Sequence, residues 1–217
     1  MIISIHIPKT GGTTFAVYLR RIYEQRLYTD HGLPADTPNY SPYPINELPN
    51  EINKSTKIIH GHIRSDKYDM FYPDADFITW LRHPVERVLS HYFYSLHMLE
   101  TSRIEVSEEY GANLPLEVFI ENPEHQNIMS KFIHDKNIEN FKFIGITEDY
   151  DESLKIFRKV FDLKTSPLRY EITNKTPNKK QPLKEIRKKI EILNEKDMIL
   201  YEKAIQKYKE QKKLFKS

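Results

Sequence analysis

Apolar positions along the chain fall into short β-branched runs separated by longer stretches in which they recur every three or four residues. Ile2-Ile3-Ser4-Ile5-His6-Ile7 is the first such run; Pro8 closes it, and it predicts a buried strand. Gly11-Gly12 breaks the pattern. Thr13 or Thr14 is then placed to cap a helix on which Phe15, Leu19, Ile22 and Tyr23 recur at helical spacing as far as about Leu27. Lys57 to His60 predicts a second strand, ended by Gly61. Phe77 to Leu81 predicts a third, stopped by Arg82-His83-Pro84, and Pro84 suits the first turn of a helix. Val85, Val88, Leu89, Tyr92 and Leu96 give that helix its apolar face. A fourth strand is expected at Phe143 to Ile146, followed by an amphipathic helix through Leu154, Phe157, Val160 and Phe161.

Residues 105–135 read as helices joined by loops. Residues 33–50 carry five of the thirteen prolines and read as an irregular excursion, either a flap over a cleft or a surface loop. Residues 164–181 are polar and basic and read as a loop, and 182–215 as a C-terminal helical segment with room for a kink. Strands that alternate with helices imply an α/β fold: one domain over 1–217 with a mainly parallel central sheet flanked by helices.

Composition narrows the chemistry. With 39% hydrophobic residues the chain has material for a core, and a net charge of +2 gives no global field for nucleic acid, although the last forty residues are rich in lysine. The absence of cysteine removes disulfides, thiolate catalysis and cysteine-based zinc sites. No run of apolar residues is long enough for a membrane span. Ile2 to Ile7 carries Ser4 and His6 and runs straight into Pro8-Lys9, unlike a signal peptide, so a soluble, cytoplasmic protein is expected.

Three segments carry candidate chemistry. In Pro8-Lys9-Thr10-Gly11-Gly12-Thr13-Thr14 a strand feeds a glycine turn and then a helix, a geometry that gathers backbone N–H groups and the helix dipole at one point and suits an oxyanion. Lys9 adds a charge, and Thr10, Thr13 and Thr14 add hydroxyls. Lys9 precedes the glycines, so this is not the nucleotide triphosphate loop, whose lysine follows the last glycine. The plain alternative is a Gly-Gly turn beside a surface lysine. Arg82 stands at a strand end, where α/β folds place ligands, and Ser90 follows eight residues later in the next helix. A guanidinium and a hydroxyl at that spacing can grip a phosphate; otherwise Arg82 pairs with Glu86 and Ser90 bonds back to its own helix. His60-Gly61-His62 lies between these segments. Histidine suits general-base chemistry near neutrality. A metal pair completed by Asp66 or Asp69, or an ordinary strand-end turn, are the competing readings of the two histidines.

Together these segments resemble the PAPS-dependent sulfotransferases, whose donor is 3′-phosphoadenosine-5′-phosphosulfate (PAPS). Pro8 to Thr14 looks like that family's 5′-phosphosulfate loop, in the Gly-Gly form of many bacterial members. The resemblance implies that Lys9 meets the bridging oxygen of the leaving group, with Thr10, Gly11, Gly12, Thr13 and Thr14 around the phosphate and sulfuryl oxygens. Arg82 and Ser90 resemble the 3′-phosphate grip. His60-Gly61-His62 is similar to the uronyl and heparan sulfate 2-O-sulfotransferases, which implies His62 as base and His60 as its support. His125 to Met129 and Gly145 to Glu148 look like further landmarks in the same order; Asn174 to Lys180 matches a basic loop that closes over nucleotide, and Glu191 to Tyr208 a closing helix.

The resemblance implies a P-loop-like sulfotransferase fold, PAPS as co-substrate and PAP (3′-phosphoadenosine-5′-phosphate) as product. It also implies a hydroxyl-bearing saccharide as acceptor, no nucleic-acid partner and no metal. Arg20, Arg21, Arg64 and Lys67 could meet an anionic sugar, and Tyr68, Phe71 and Tyr72 could stack on one. The rival readings are a nucleotide kinase with a carboxylate base, or a non-catalytic module that binds anions through its lysine-rich end.

Overall fold

The computed structural model describes residues 1–30, 44–101, 114–164 and 182–215. Its strands are β1 (Ile2–Ile5), β2 (Leu27–Asp30), β3 (Ile58–Gly61), β4 (Asp76–Leu81) and β5 (Phe143–Ile146). They form one sheet in the order β2-β3-β1-β4-β5, and every pairing is parallel. Ser4 of β1 lies opposite His60 of β3 and Ile78 of β4. Such a sheet is covered on both faces, which is why its strands are short and rich in isoleucine: Ile3, Ile5, Ile58, Ile59, Ile78 and Ile144 are all buried. Because the strands run the same way, their C-terminal ends open on one edge.

The helices are α1 (Gly12–Tyr23), α2 (Pro84–Glu100), α3 (Leu116–Glu121), α4 (Ile128–Ile133), α5 (Tyr150–Val160), α6 (Lys184–Leu193) and α7 (Glu195–Leu214). On α1, Phe15, Leu19, Ile22 and Tyr23 face the core as their spacing predicts. Pro84 occupies the first turn of α2, whose Val85, Val88 and Leu89 pack with Phe119, Ile120 and Ile190 in a second, smaller cluster.

Three expectations change, and others fall partly or wholly outside the described residues. The first helix stops at Tyr23, not near Leu27: Glu24 takes a positive φ of 50°, a 3-10 turn follows, and Leu27–Asp30 pairs with β3. Neither Thr13 nor Thr14 caps α1. Gly11 does so with φ 89°, and both threonines lie inside the first turn. The C-terminal segment is two helices broken at Asn194, a buried residue whose Nδ2 donates to Ile190 O while its Oδ1 accepts from the Asn127 amide. Finally, of the proline-rich stretch, residues 44–50 carry neither helix nor strand, while 31–43 lie outside the described residues, as do 102–113 and the basic loop from 165 to 181.

Candidate active site

Beyond Ile7 the chain reverses direction in very few residues. Lys9 (φ 70°) and Gly11 (φ 89°) both take left-handed backbone conformations, costly for lysine and natural for glycine. Thr10, fully buried, braces the turn by donating from Oγ1 to Ile7 O at 2.9 Å. Neighbouring elements hold the loop's carbonyls from behind. The Thr147 hydroxyl sits 2.6 Å from Thr10 O and 2.9 Å from Leu81 O, and Tyr150 donates to Gly11 O at 3.1 Å while its ring stacks on Trp80. A Cβ on Gly11 would press on that tyrosine at 2.9 Å, and one on Gly12 would overlap the His6 ring. Glycine at the cap brings no side-chain acceptor, so the first amides of α1 keep their capacity to donate.

Arg82, at the end of β4, reaches this loop directly: its Nη1 donates to Lys9 O at 3.2 Å. The Lys9 ammonium lies 3.4 Å from the centroid of the Tyr94 ring on α2, a close cation–π contact. Burial, reinforced by the Arg82 charge, lowers the Lys9 amine to about 8. Burial also pulls Arg82 down, against the upward pull of Glu148 and Glu86. Ser90 is buried on α2 one turn before Tyr94.

Arg87, wholly buried on the same helix, donates from Nη2 to His125 O at 2.8 Å, while its Nε and Nη1 make no hydrogen bond among the described residues. His91 is held neutral, lowered to about 3 by burial first and then by Arg87, His125 and Lys9. The nearby carboxylates are engaged elsewhere. Glu86 pairs with Arg187 at 3.0 Å rather than with Arg82 as one reading of the sequence had it, and Glu148 accepts from the His83 amide at 2.9 Å and from Tyr201 at 3.1 Å. Among the described residues no carboxylate forms an ion pair with Lys9, Arg82 or Arg87, although Glu148 and Glu86 act on Arg82 through their charge.

The histidines complete this edge. The assigned strand ends at Gly61, yet the pairing continues for one residue, because the His6 amide donates to Gly61 O at 2.7 Å. Both His60 and His62 then stack on His6, with ring centroids 5.2 and 4.1 Å apart. His60 is 1% exposed and its Nδ1 lies 2.8 Å from Ser4 Oγ, whereas His62 keeps access to solvent. The Nδ1 of His62 is 2.9 Å from His6 O. A carbonyl only accepts, so this partner assigns the proton to Nδ1 and leaves Nε2 with its lone pair. Asp66 is bound to Arg64 by two hydrogen bonds of 2.6 and 2.5 Å, and Asp69 is held by Lys136 at 2.8 Å.

Three of the residues considered for sugar contact have partners elsewhere, Arg64 on Asp66 and the other two on Asp30. Lys67 pairs with Asp30 at 2.8 Å, and Tyr68, 2% exposed, donates to the same carboxylate at 2.6 Å. They fasten the segment after His62 to the end of β2. The sequence reading missed His6, Tyr94, Thr147 and Tyr150 as members of the site. Strand alternation places His6 on the same face as Ser4, but nothing local says that His60 and His62 meet it there.

The model of the sulfotransferase family matches residues 1–216. This chain belongs to the sulfotransferase family. The sulfotransferase crystal structure from Alicyclobacillus acidocaldarius is similar, at 12% identity and a TM-score of 0.43, with 90% of this chain and 91% of that one covered. No curated protein matches. As a member of the family the protein is a transferase of sulfuryl groups, built on a single α/β domain with a five-stranded parallel sheet.

The later landmarks also have physical work in this sulfotransferase. Asn127, at φ 53°, starts α4 and bonds with Asn194 and Leu193; Asp197 accepts from the Met129 and Ser130 amides and the Ser130 hydroxyl; Tyr201 ties α7 to Glu148. Among the described residues, no helix is long and apolar enough to cross a membrane.

Proposed function

We propose that this sulfotransferase takes its sulfuryl group from PAPS and delivers it to a hydroxyl of a carbohydrate. The observation that carries the reading is the junction of the glycine loop with the β4 end. Lys9 and Arg82 are brought together there, and burial, reinforced by the proximity of the Arg82 charge, depresses Lys9 to about 8. An anion bearing several charges relieves that repulsion, and a donor with phosphates at both ends of its ribose supplies them. In this reading the loop amides, Lys9 and the hydroxyls of Thr13 and Thr14 serve the phosphosulfate, Thr10 braces the loop from within through Ile7 O, and Arg82 and Ser90 serve the 3′-phosphate. The carbohydrate acceptor rests on the likeness of His60-Gly61-His62 to the uronyl 2-O-sulfotransferases.

In the reaction the acceptor oxygen forms a bond to sulfur as its proton passes to His62 Nε2. The bond from sulfur to the bridging oxygen breaks, and the leaving PAP keeps the electron pair. The Lys9 ammonium and the loop amides meet the charge that grows on the bridging and sulfuryl oxygens. The His62 Nδ1–H stays on His6 O throughout, so the imidazolium is stabilised at one nitrogen as the other takes the proton.

Transfer of radiolabelled sulfuryl from PAPS to a panel of polysaccharides, phenols and glycolipids tests this. Label is expected in polysaccharide. His62→Ala should lose about 10²-fold or more in kcat with PAP affinity within about twofold, and Arg82→Ala should weaken PAP by about tenfold or more. Turnover that survives in His62→Ala removes the assigned base; PAP and ATP binding with equal affinity removes the donor.

A further inference from the structure

His6 touches the loop and the histidine pair at once. Its amide donates to Gly61 O at 2.7 Å, and its carbonyl accepts from His62 Nδ1 at 2.9 Å. Its ring stacks on His62 with centroids 4.1 Å apart and planes 21° from parallel, and on His60 at 5.2 Å and 17°. The opposite relation is just as tight: the edge of the ring lies so close to Gly12 that a single methyl there would overlap it. Pro8 and Lys9 follow it within three residues. One residue is thus bonded by its backbone to the segment that carries His62, stacked by its side chain on the His62 ring, and wedged against the first residue of α1.

From this we infer that His6 is a positioning residue that registers His62 against the glycine loop. The inference rests on the reading of His62 as the base. The His6 carbonyl selects the tautomer that leaves Nε2 able to accept a proton, and the ring fixes the plane in which Nε2 points. Transfer demands a near-linear array of acceptor oxygen, sulfur and leaving oxygen, so the angle of the base relative to the loop decides how often that array is met. A side chain on another strand could hold His62, and another could brace the loop; with both contacts on His6, motion of one carries the other with it. The ring has a second consequence for His60. That imidazole is 1% exposed, stacked on His6 and bonded to Ser4, so His60 supports the stack rather than meeting the donor.

Replacement of the side chain keeps the carbonyl available to His62 Nδ1 but removes the ring that holds the imidazole plane, so His62 can move on and off that carbonyl. In His6→Ala, kcat for sulfuryl transfer is expected to fall about tenfold to a hundredfold, while PAP affinity and acceptor KM stay within about twofold. His6→Phe, which restores a flat ring, should recover most of the loss. His6→Gln serves the same purpose as His6→Ala if the smaller variant does not fold. Long-range nitrogen–proton correlation spectra of the His62 imidazole supply a readout that needs no turnover. The wild type should show a single Nδ1–H form with sharp signals, and the ring-deleted variants should show exchange-broadened signals. Unaltered His62 spectra in His6→Ala overturn the proposal, whether or not the protein uses PAPS. So does a loss in kcat matched by an equal loss in PAP affinity, which would mark a residue that merely holds the loop together. A wild type with the expected spectra but no transfer from PAPS would instead strike the functional reading and leave the registration intact.

Discussion

At the scale of single residues the Lys9 amine sets a pH dependence. It is partly buried between Tyr94 and Arg82 and is lowered from the ordinary lysine value of 10.5 to about 8. Below about 8 it is protonated and can bind an anion; as pH rises through about 8 the charge is lost. A bound polyanion favours the ammonium, so binding above pH 8 takes up a proton and PAP affinity should fall by up to about tenfold per pH unit there. Calorimetric titration between pH 7 and 9.5 checks this, and Lys9→Arg should flatten the curve. An affinity independent of pH across that range would remove Lys9 from the binding site. For folding, the sign is reversed. The unfolded chain holds this proton more tightly, so this group's contribution to stability improves as pH rises from about 8 toward 10.5.

Between elements, the C-terminal helices depend on a few buried polar contacts. Asp197, wholly buried in the first turn of α7, accepts from the Met129 amide at 3.1 Å and from the Ser130 amide and hydroxyl at 2.7 Å each. It therefore caps α4 from another helix, a task that Asn127, with no side-chain bond to that first turn, leaves undone. Asp197→Ala would strand these donors and should cost about 2–4 kcal/mol, read as a lower urea midpoint at unchanged slope. An unshifted midpoint would show that water replaces the carboxylate without loss. The same segment explains why the sequence reading of one kinked helix gave way to two. The periodicity of α6 and α7 is real on both sides, but the break falls at Asn194, whose side chain is recruited by Asn127 67 residues earlier in the chain.

For the molecule as a whole, the parallel sheet gathers groups that are distant in sequence. Lys9, His62, Arg82 and Thr147 follow β1, β3, β4 and β5 and arrive at one edge only because every strand points the same way. A donor that engages several of these segments must stabilise the folded state by mass action. At a PAP concentration about a hundred times its Kd the gain is about 2.7 kcal/mol, or a rise in Tm of roughly 5–10 °C for a chain of this size. ATP, which lacks a 3′-phosphate, should give a much smaller shift at the same concentration. Equal shifts from the two nucleotides in a thermal melt would count against a 3′-phosphate grip by Arg82 and Ser90.

What the amino-acid order determined by itself was local. β-Branched runs, glycine breaks and three-to-four spacing specify β1, α1, β3, β4, α2, β5 and α5 because those signals act over neighbouring residues. The strand–glycine–helix unit and the Arg82-to-Ser90 spacing were readable for the same reason, as were His60 and His62 as candidates. Tertiary structure alone decided the rest. Leu27–Asp30 is a strand because the edge of β3 offers it hydrogen bonds, not because its own residues demand extension. The place of His6 between Gly12 and His62 follows from the register of two strands more than fifty residues apart, and the bracing of the loop by Thr147 and Tyr150 from a sheet closed by β5. Contacts of that range carry no periodicity in the chain, since what fixes them is the packing of whole elements against one another.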